Sequence, residues 1–396
     1  LATGGGGIRI GFGTSLEVVS GTFELTGSDD IEGRSLTGTT TGGPFVPIIT
    51  VQSAGVFRLA GVNSHIRSGN SIGDNDSKIG KLTVHGIASF TSGQANRLNF
   101  NDVDIMTGGL VEFRSAGTVD STFNPGIVTV MNGGTFRSAT NAGLVLTYWY
   151  HNITTPNKLD VQAGGELDIN TDKTDFLPQL ITLQPGSYVR YSFSTAPQNL
   201  STRPEMSAYS NLILQATAKA LTQNISVADT LFMRTNATAA PSLSLAAFTL
   251  TYGSSATLQY RGIGAPAPAQ TTASTEWPAS GSRPANVNIF NSSMVTLNGT
   301  KNISGTLSFA SDGSKLLLGA NNISVAAVSG FNAARYVVTD GAGALTIRSV
   351  GNAATVFPIG LSSSLYQPAT VTNNGTADDF SAKVAAGSPC ALPASS

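Results

Sequence analysis

Residues 103–113 read Val-Asp-Ile-Met-Thr-Gly-Gly-Leu-Val-Glu-Phe, which is an alternating apolar triplet, a turn with two glycines and a second alternating run. Apolar and polar residues that alternate with period 2 are typical of a strand with one buried face, and glycines are typical of tight turns. This pattern, which we call the phrase, recurs along the first half of the chain. Its triplets lie at residues 49–51, 82–84, 103–105, 128–130, 159–161 and 181–183.

The distances between these triplets are irregular, because successive triplets are 33, 21, 25, 31 and 22 residues apart. A constant short unit with variable spacing is typical of stacked rungs whose corners carry loops of different lengths. We find no helical periodicity of useful length. The sequence therefore predicts an all-β fold, a parallel β-helix (β-solenoid) with irregular rungs, followed by a C-terminal β-sandwich-like module or cap.

Changes in the phrase divide the chain into four segments. We predict an N-terminal strand and cap over residues 1–45, solenoid rungs over 46–208, duplicated solenoid repeat units over 209–335, and the sandwich-like module or cap with a tail over 336–396. The duplication rests on the similarity of residues 211–214 to 286–289 and of 224–226 to 302–304, which indicates units of about 75 residues.

The composition disfavours several functional classes. Charged residues make up 11% of the chain and the net charge is −1, so there is no basic stripe of the kind that nucleic-acid binders carry. No apolar run approaches the ~20 residues that span a bilayer, so membrane insertion is not expected. The sole cysteine, Cys390, cannot form an internal disulfide, and the sequence leaves open whether it is free or crosslinked to another chain.

The second half of the chain resembles the repeats of secreted surface proteins of Bacteroidota, which are typically exported by type IX secretion. The resemblance rests on residues 209–212, 305–309, 316–323 and 336–345. It implies a large extracellular or cell-surface β-solenoid of a group that contains many adhesins and filaments. Nothing after Val384 resembles the usual sorting domain, which indicates that it has been cleaved or that the chain is part of a longer protein.

We also interpret the start at Leu1, which is not a methionine, as the start of a mature or excised segment whose signal peptide is gone. Together with the resemblance, this predicts a secreted protein located outside the cell or on its surface.

Acidic residues within the phrase are the candidates for catalysis. Asp104 and Asp160 occupy the same rung position as Thr50, Thr83, Thr129 and Thr182. This register predicts an outward-facing polar ladder, with a catalytic carboxylate pair as the less favoured alternative. We therefore expect no catalytic residues, no bound cofactor and a protein that is not an enzyme.

One segment has oxygen ligands at alternate positions, as calcium loops do. Asp168, Asn170 and Asp172 are weak calcium candidates there, but Lys173 stands where an EF-hand requires glycine and Gln179 where it requires an acid. A plain polar turn is the favoured interpretation. The three histidines are scattered, which disfavours a metal cluster.

Two tryptophans are candidate glycan contacts, because flat aromatic rings stack on sugars. Trp149 lies within an aromatic run and Trp277 in a proline-rich loop, and packing in the core is the favoured interpretation for whichever side of the run that contains Trp149 faces inward. Ser121 and Thr230 each follow an aspartate and are candidate acceptors for Bacteroidota-type O-glycosylation.

The preferred functional hypothesis is a secreted, non-enzymatic structural protein that assembles end to end into a homopolymer. Ile8, Arg9 and Ile10 form a short alternating strand behind four glycines, which predicts pairing with a neighbouring copy by β-augmentation. One alternative is a cell-surface adhesin that binds surface glycans. A further alternative is a β-helix polysaccharide lyase or hydrolase.

Overall fold

The computed structural model describes residues 8–11, 15–26, 31–34, 48–60, 65–68, 79–92, 97–115, 122–138, 157–171, 177–263, 267–290 and 293–385. Over these ranges the chain forms β-strands and one 3-10 turn at Pro204–Met206. None of the described segments forms a helix long and apolar enough to cross a membrane.

The strands up to residue 215 are β1 (Ile8–Gly11), β2 (Ser15–Leu25), β3 (Ile31–Arg34), β4 (Ile48–Leu59), β5 (His65–Ser68), β6 (Ile79–Val84), β7 (Ile87–Ser92), β8 (Arg97–Ile105), β9 (Leu110–Ser115), β10 (Thr122–Val130), β11 (Thr135–Ser138), β12 (Lys158–Val161), β13 (Glu166–Ile169), β14 (Leu180–Leu183), β15 (Tyr188–Tyr191), β16 (Gln198–Asn199) and β17 (Ala208–Gln215).

The later strands are β18 (Ala218–Ala220), β19 (Ile225–Arg234), β20 (Ser242–Ser244), β21 (Leu250–Tyr252), β22 (Thr257–Arg261), β23 (Gln270–Thr271), β24 (Asn286–Phe290), β25 (Met294–Thr296), β26 (Lys301–Asn302), β27 (Thr306–Phe309), β28 (Lys315–Leu317), β29 (Ile323–Val325), β30 (Ala327–Ser329), β31 (Tyr336–Val338), β32 (Leu345–Val350), β33 (Thr355–Phe357), β34 (Ile359–Ser362), β35 (Leu365–Tyr366), β36 (Ala369–Val371) and β37 (Asp378–Ala382).

Residue contacts divide the chain into two compact units. The first comprises residues 1–213 with 220–225, and the second comprises residues 214–219 with 226–396. In both units consecutive coils pair through parallel strands, so the predicted all-β parallel solenoid is confirmed.

Each early coil of the first unit contributes strands to three faces. Face A contains β1, β3, β5 and the starts of β8 and β10. Face B contains the first halves of β2 and β4, then β6, the ends of β8 and β10, β12 and β14. Face C contains the second halves of β2 and β4, then β7, β9, β11, β13 and β15.

The apolar triplet of each phrase forms face B, and its outer residues point into the core. The last positions of the triplets pair in register from coil to coil, and all of them up to Val161 are buried. In chain order they are Val18, Val51, Val84, Ile105, Val130, Val161 and Leu183. Burial of such ladders supplies most of the free energy that holds a solenoid together.

Steric constraints explain why two glycines occupy the turn between faces B and C. Gly108 adopts a φ of +78°, which side chains tolerate poorly, and a Cβ on Gly109 would lie 2.1 Å from the carbonyl oxygen of Val84 in the preceding coil. Gly133 and Gly134 repeat this arrangement one coil later. The turn therefore lets two coils approach closely enough to continue the ladder.

The second unit is also built from coils with three faces. Face D contains the end of β19, then β22, β24, β27 and β30. Face E contains β23, β25, β28, β31 and β34, and face F contains β26, β29 and β32. Leu258 pairs with Val287 and Val287 with Leu307, so the structural repeat is a single coil of 29 or 20 residues, and each 75-residue unit of the sequence contains several coils.

The parallel stacking continues into the segment that begins at residue 336. β31 pairs in parallel with β28 and then with β34, so this segment extends face E. Three antiparallel pairings end the stack: β34 with β35, β32 with β37 and β33 with β36. Of the two alternatives predicted for this segment, a cap describes the observed pairing.

Candidate functional site

The polar ladder predicted on face B is present. The middle positions of the triplets pair in register, and in chain order they are Glu17, Thr50, Thr83, Asp104, Thr129, Asp160 and Thr182. Lys81 forms an ion pair with Asp104, and Lys158 lies 3.3 Å from the Oδ2 atom of Asp160. Thr129 stands between the two aspartates, and each carboxylate has its own lysine, so their environment is that of a surface ladder.

A second polar ladder, which we call the charged ladder, follows the middle positions of face C. In chain order its positions are Glu24, Arg58, Ser89, Glu112, Arg137, Asp168 and Arg190. The charges alternate in sign except at the two steps that involve the neutral Ser89, so each charged side chain lies one rung away from an opposite charge. Adjacent parallel strands are ~4.8 Å apart, a distance that long side chains bridge easily.

Asp168 is the most enclosed member of the charged ladder, with 1% of its surface exposed. The Nε atom of Arg137 lies 2.8 Å from its Oδ2 atom and Nη1 of Arg190 lies 3.7 Å from the same oxygen. The hydroxyl of Ser192 donates to Oδ1 at 2.5 Å. Arg137 also reaches Glu112 at 3.7 Å, so the charges join several coils into one network.

This geometry corrects the calcium hypothesis for Asp168. Its carboxylate faces two guanidinium groups, which repel a cation and occupy the oxygen that a metal would need. Asn170 donates its backbone N–H to Ser138 at 3.0 Å, and Asp172 lies outside the described residues. Among the described residues, no group of three or more His, Cys, Asp or Glu side chains is placed to hold a metal ion.

The charged ladder also bears on catalysis, since it places acids and arginines on adjacent rungs of one face. A general base needs a carboxylate oxygen that is free to accept a proton from substrate. In this network the guanidinium groups and Ser192 bind the oxygens of Asp168. The Nη2 atom of Arg190 lies 2.5 Å from the Oε1 atom of Glu166. Chemically, the arrangement works as a set of ionic crosslinks between coils.

The second unit contains a buried polar cluster around Glu276 and Trp277, which we call the Glu276 cluster. Trp277 is fully buried, so the hypothesis that it contacts glycans at the surface is wrong. Its ring centroid lies 6.4 Å from that of Tyr260, and the Nζ atom of Lys301 lies 5.8 Å from the ring while donating to the Trp277 carbonyl at 2.5 Å.

Glu276 is almost as deeply buried as Trp277, and its carboxylate oxygens and its backbone carbonyl all accept hydrogen bonds. Tyr260 donates its hydroxyl to Oε1 at 3.0 Å, and the backbone N–H of Ala273 donates to the same oxygen. Thr275 donates to Oε2 at 3.0 Å, and the hydroxyl of Tyr252 donates to the Glu276 carbonyl at 2.6 Å. The cluster therefore fixes the loop between β23 and β24 against the neighbouring coils.

Burial governs the protonation of the Glu276 cluster. Desolvation raises the pKa of Glu276 above its ordinary 4.5, against the opposing effect of its hydrogen bonds. Burial also lowers the pKa of Lys301, although the nearby Glu276 charge opposes this shift. The pKa values of Tyr252 and Tyr260 rise through burial and through the Glu276 charge.

We expect Glu276 to make the stability of the second unit depend on pH. A carboxyl whose pKa is higher in the folded than in the unfolded state stabilises the fold most below its unfolded pKa. That contribution is lost as the pH rises through the folded pKa. The free energy of unfolding, measured by urea titration from about pH 4 to about pH 8, should fall more steeply in the wild type than in Glu276→Gln.

Glutamine is the matched substitution, because its carbonyl can accept from Ala273 and Tyr260 while its amide faces Thr275. Equal pH profiles for the two proteins would contradict this assignment. Burial raises the pKa values of Tyr252 and Tyr260 further above this pH range, and Lys301 is present in both proteins, so the difference between the two profiles reports on Glu276.

Several predicted sites are not tested by the structure. Thr230 is half-buried in β19 and pairs with Thr257, so its glycosylation stays a prediction. Trp149, Ser121 and Cys390 lie outside the described residues.

The first coil presents the strand predicted to mediate assembly. β1, which contains Ile8, Arg9 and Ile10, pairs in parallel with β3, and β2 pairs in parallel with β4. In the part of the chain that the structure describes, neither β1 nor β2 pairs with a strand on its other side. Val19 of β2 is 61% exposed, the largest exposed fraction among the bulky apolar side chains that are described.

No protein-family model, curated protein or solved structure matches this chain.

Proposed function

We propose that this protein is a secreted, non-enzymatic structural protein that assembles end to end through its first coil. The observation that carries the proposal is the pairing of β1 and β2 on one side only within the described residues, which leaves a row of backbone N–H and C=O groups along an edge. Such an edge is a template for pairing with another chain. An open strand edge in a folded protein either pairs with another chain or is protected against such pairing.

The remainder of the first unit supports a mechanical role. Its core ladders continue in register from coil to coil, and the charged ladder adds ionic crosslinks along the stacking direction. Repeats that contact only their neighbours gain stability from every interface, so the coils act together as one rigid element.

The two alternative functions have less support. The adhesin hypothesis depended on two tryptophans, of which Trp277 is buried and Trp149 lies outside the described residues. The hypothesis of a lyase or hydrolase needs carboxylates that are free to act on substrate, whereas Asp104, Asp160 and Asp168 are each paired with a cation.

Removing the first strand should abolish assembly. We expect purified wild-type protein to form filaments in negative-stain microscopy, and deletion of residues 1–12 to leave only isolated particles. A substitution on the edge, Val19→Lys, should weaken assembly in the same way, because lysine is a residue that protects natural edge strands.

Ser53→Lys is the matched control, since Ser53 is exposed on β4, one coil inside the edge. Far-UV circular dichroism would verify that each variant retains its β-structure. Filaments that persist after both Val19→Lys and the deletion would refute assembly through the first coil, and isolated wild-type particles at every concentration would refute the proposed function.

A further inference from the structure

The three faces of the second unit differ in how their last parallel strand is covered. On face E, β34 is followed by the antiparallel strand β35, and on face F, β32 is covered by β37. On face D, β30 pairs with β27, and none of the described strands pairs with its other side. Face D therefore ends in an open edge of three residues.

A groove of ≈370 Å³ lies along this open edge. Ala326, Ala327, Val328 and Phe331 line one wall, and residues 347–350 and 354–356 line the remainder. β33 follows the face F strand β32 and precedes the face E strand β34, but it pairs with β36 and lines the groove instead of pairing with β30.

The core ladder of face D shows what the missing strand would cover. Leu258, Val287, Leu307 and Val328 pair in register, and the first three are fully buried. Val328 occupies the same inward position but is only half-buried, and none of the described strands pairs with β30 on that side. An extended strand with an apolar side chain at this position would complete the ladder.

Arg348 is the one charged residue on the wall of the groove, and its donors are already used. Its Nη1 atom donates to the Asn302 side chain at 2.8 Å and to the Ser324 hydroxyl at 3.1 Å. Its Nη2 atom donates to the carbonyl oxygens of Ile303 at 2.6 Å and of Ser304 at 3.0 Å. The groove therefore favours backbone pairing and apolar contact over an acidic ligand.

We propose that this groove is the acceptor for β1 of a second copy of this chain, an inference that rests on the proposed end-to-end assembly. β1 is the first strand of its own face, has four residues against the three of β30, and pairs on one side only within the described residues. Ile8 pairs with the fully buried Ile31 and is itself half-buried, so it has the same inward register as Val328.

In the resulting contact, β30 of one copy and β1 of the next copy pair in parallel, and Ile8 packs on Val328. On face D the interface repeats the parallel pairing by which coils stack within each chain, whereas β35 and β37 end faces E and F. It is heterologous, because donor and acceptor are different surfaces, and heterologous contacts that do not close into rings produce filaments.

Paired substitutions at two exposed alanines test the acceptor. Ala327→Arg places a long side chain in the groove, whereas Ala333→Arg places the same side chain on an exposed residue that does not line it. We expect Ala327→Arg to raise the concentration needed for filaments about tenfold or more and Ala333→Arg to leave it unchanged.

Disulfide trapping between separately purified proteins tests the partner. With Cys390→Ser as the background, Ser329→Cys in one protein and Arg9→Cys in the other should form a crosslinked dimer on mixing, because Ser329 lies opposite Arg9 when Ile8 pairs with Val328, and directly paired strand positions bring Cα atoms within disulfide range. Thr251→Cys, an exposed position before β22, should not crosslink to Arg9→Cys.

The outcomes separate this inference from the proposed function. Loss of filaments in Ala327→Arg together with the specific crosslink supports the acceptor groove. Wild-type filaments that persist in Ala327→Arg without the crosslink overturn the acceptor groove and leave end-to-end assembly in place. Wild-type protein that forms neither filaments nor the crosslink overturns both.

Discussion

Replacing Trp277 with alanine is expected to lower the free energy of unfolding of the second unit by about 3–5 kcal/mol. The indole is fully buried between Tyr260 and Lys301, and its removal leaves a cavity that the surrounding strands cannot fill without distortion. It also removes the ring over which the Lys301 ammonium lies. Urea unfolding followed by far-UV circular dichroism measures the effect.

Trp277→Phe is the matched control for this prediction. The indole Nε1 atom is buried and has no hydrogen-bond partner in the protein, so phenylalanine keeps most of the packing and removes an unsatisfied donor. We expect Trp277→Phe to cost less than half as much as Trp277→Ala. Equal losses of unfolding free energy in Trp277→Phe and Trp277→Ala would show that the ring does not stabilise the cluster by packing.

Replacing Asp168 with alanine is expected to cost the first unit about 1–3 kcal/mol. The carboxylate is 1% exposed and is the acceptor shared by Arg137, Arg190 and Ser192, so its removal leaves these donors without their common acceptor, while Glu112 and Glu166 remain as counter-charges of the two arginines. Asp168→Asn should cost less, because the amide oxygen can still accept from Ser192. Thermal and urea unfolding of the two variants would measure these losses.

Asp160→Asn provides the comparison on face B. Asp160 is half-buried, pairs with Lys158, whose side chain is 33% exposed, and accepts from Gln184 at 3.2 Å. An ion pair with so accessible a lysine contributes at most about 1 kcal/mol. The prediction fails if Asp168→Ala costs no more than Asp160→Asn. Salt should weaken the effect at Asp160 more than the effect at Asp168, since exposed charges are screened more strongly.

Much of the fold followed from the repeated phrase. The alternation of apolar residues predicted which side chains form the core, and alignment of the triplets predicted the pairing of Thr83 with Asp104 and of Thr129 with Asp160. The same alignment, applied to the second half of each phrase, places Glu112, Arg137, Asp168 and Arg190 at one position and would have predicted the charged ladder. Within its own segment, Asp168 stands two and four residues before Asn170 and Asp172, a spacing that is typical of a calcium loop and gives no sign of the ladder.

The Glu276 cluster could not be predicted in this way. Trp277 lies in a proline-rich segment without periodicity, and its burial depends on Tyr260 and Lys301, which are separated from it by many residues. Local sequence indicates exposure there, and tertiary packing overrides it.

The sequence by itself determined the strands, the order of the coils and the side chains that face the core, because these depend on a period of two residues and on glycines at fixed corners. Only the tertiary structure decided which charges pair across coils, which loop folds inward around Glu276, and where the stack ends in an open edge. Val328 has the same apolar character as Leu307, and it is less buried because none of the described strands pairs with β30 on its other side. The sequence of a strand specifies what it can pair with, and the fold determines whether a partner is there.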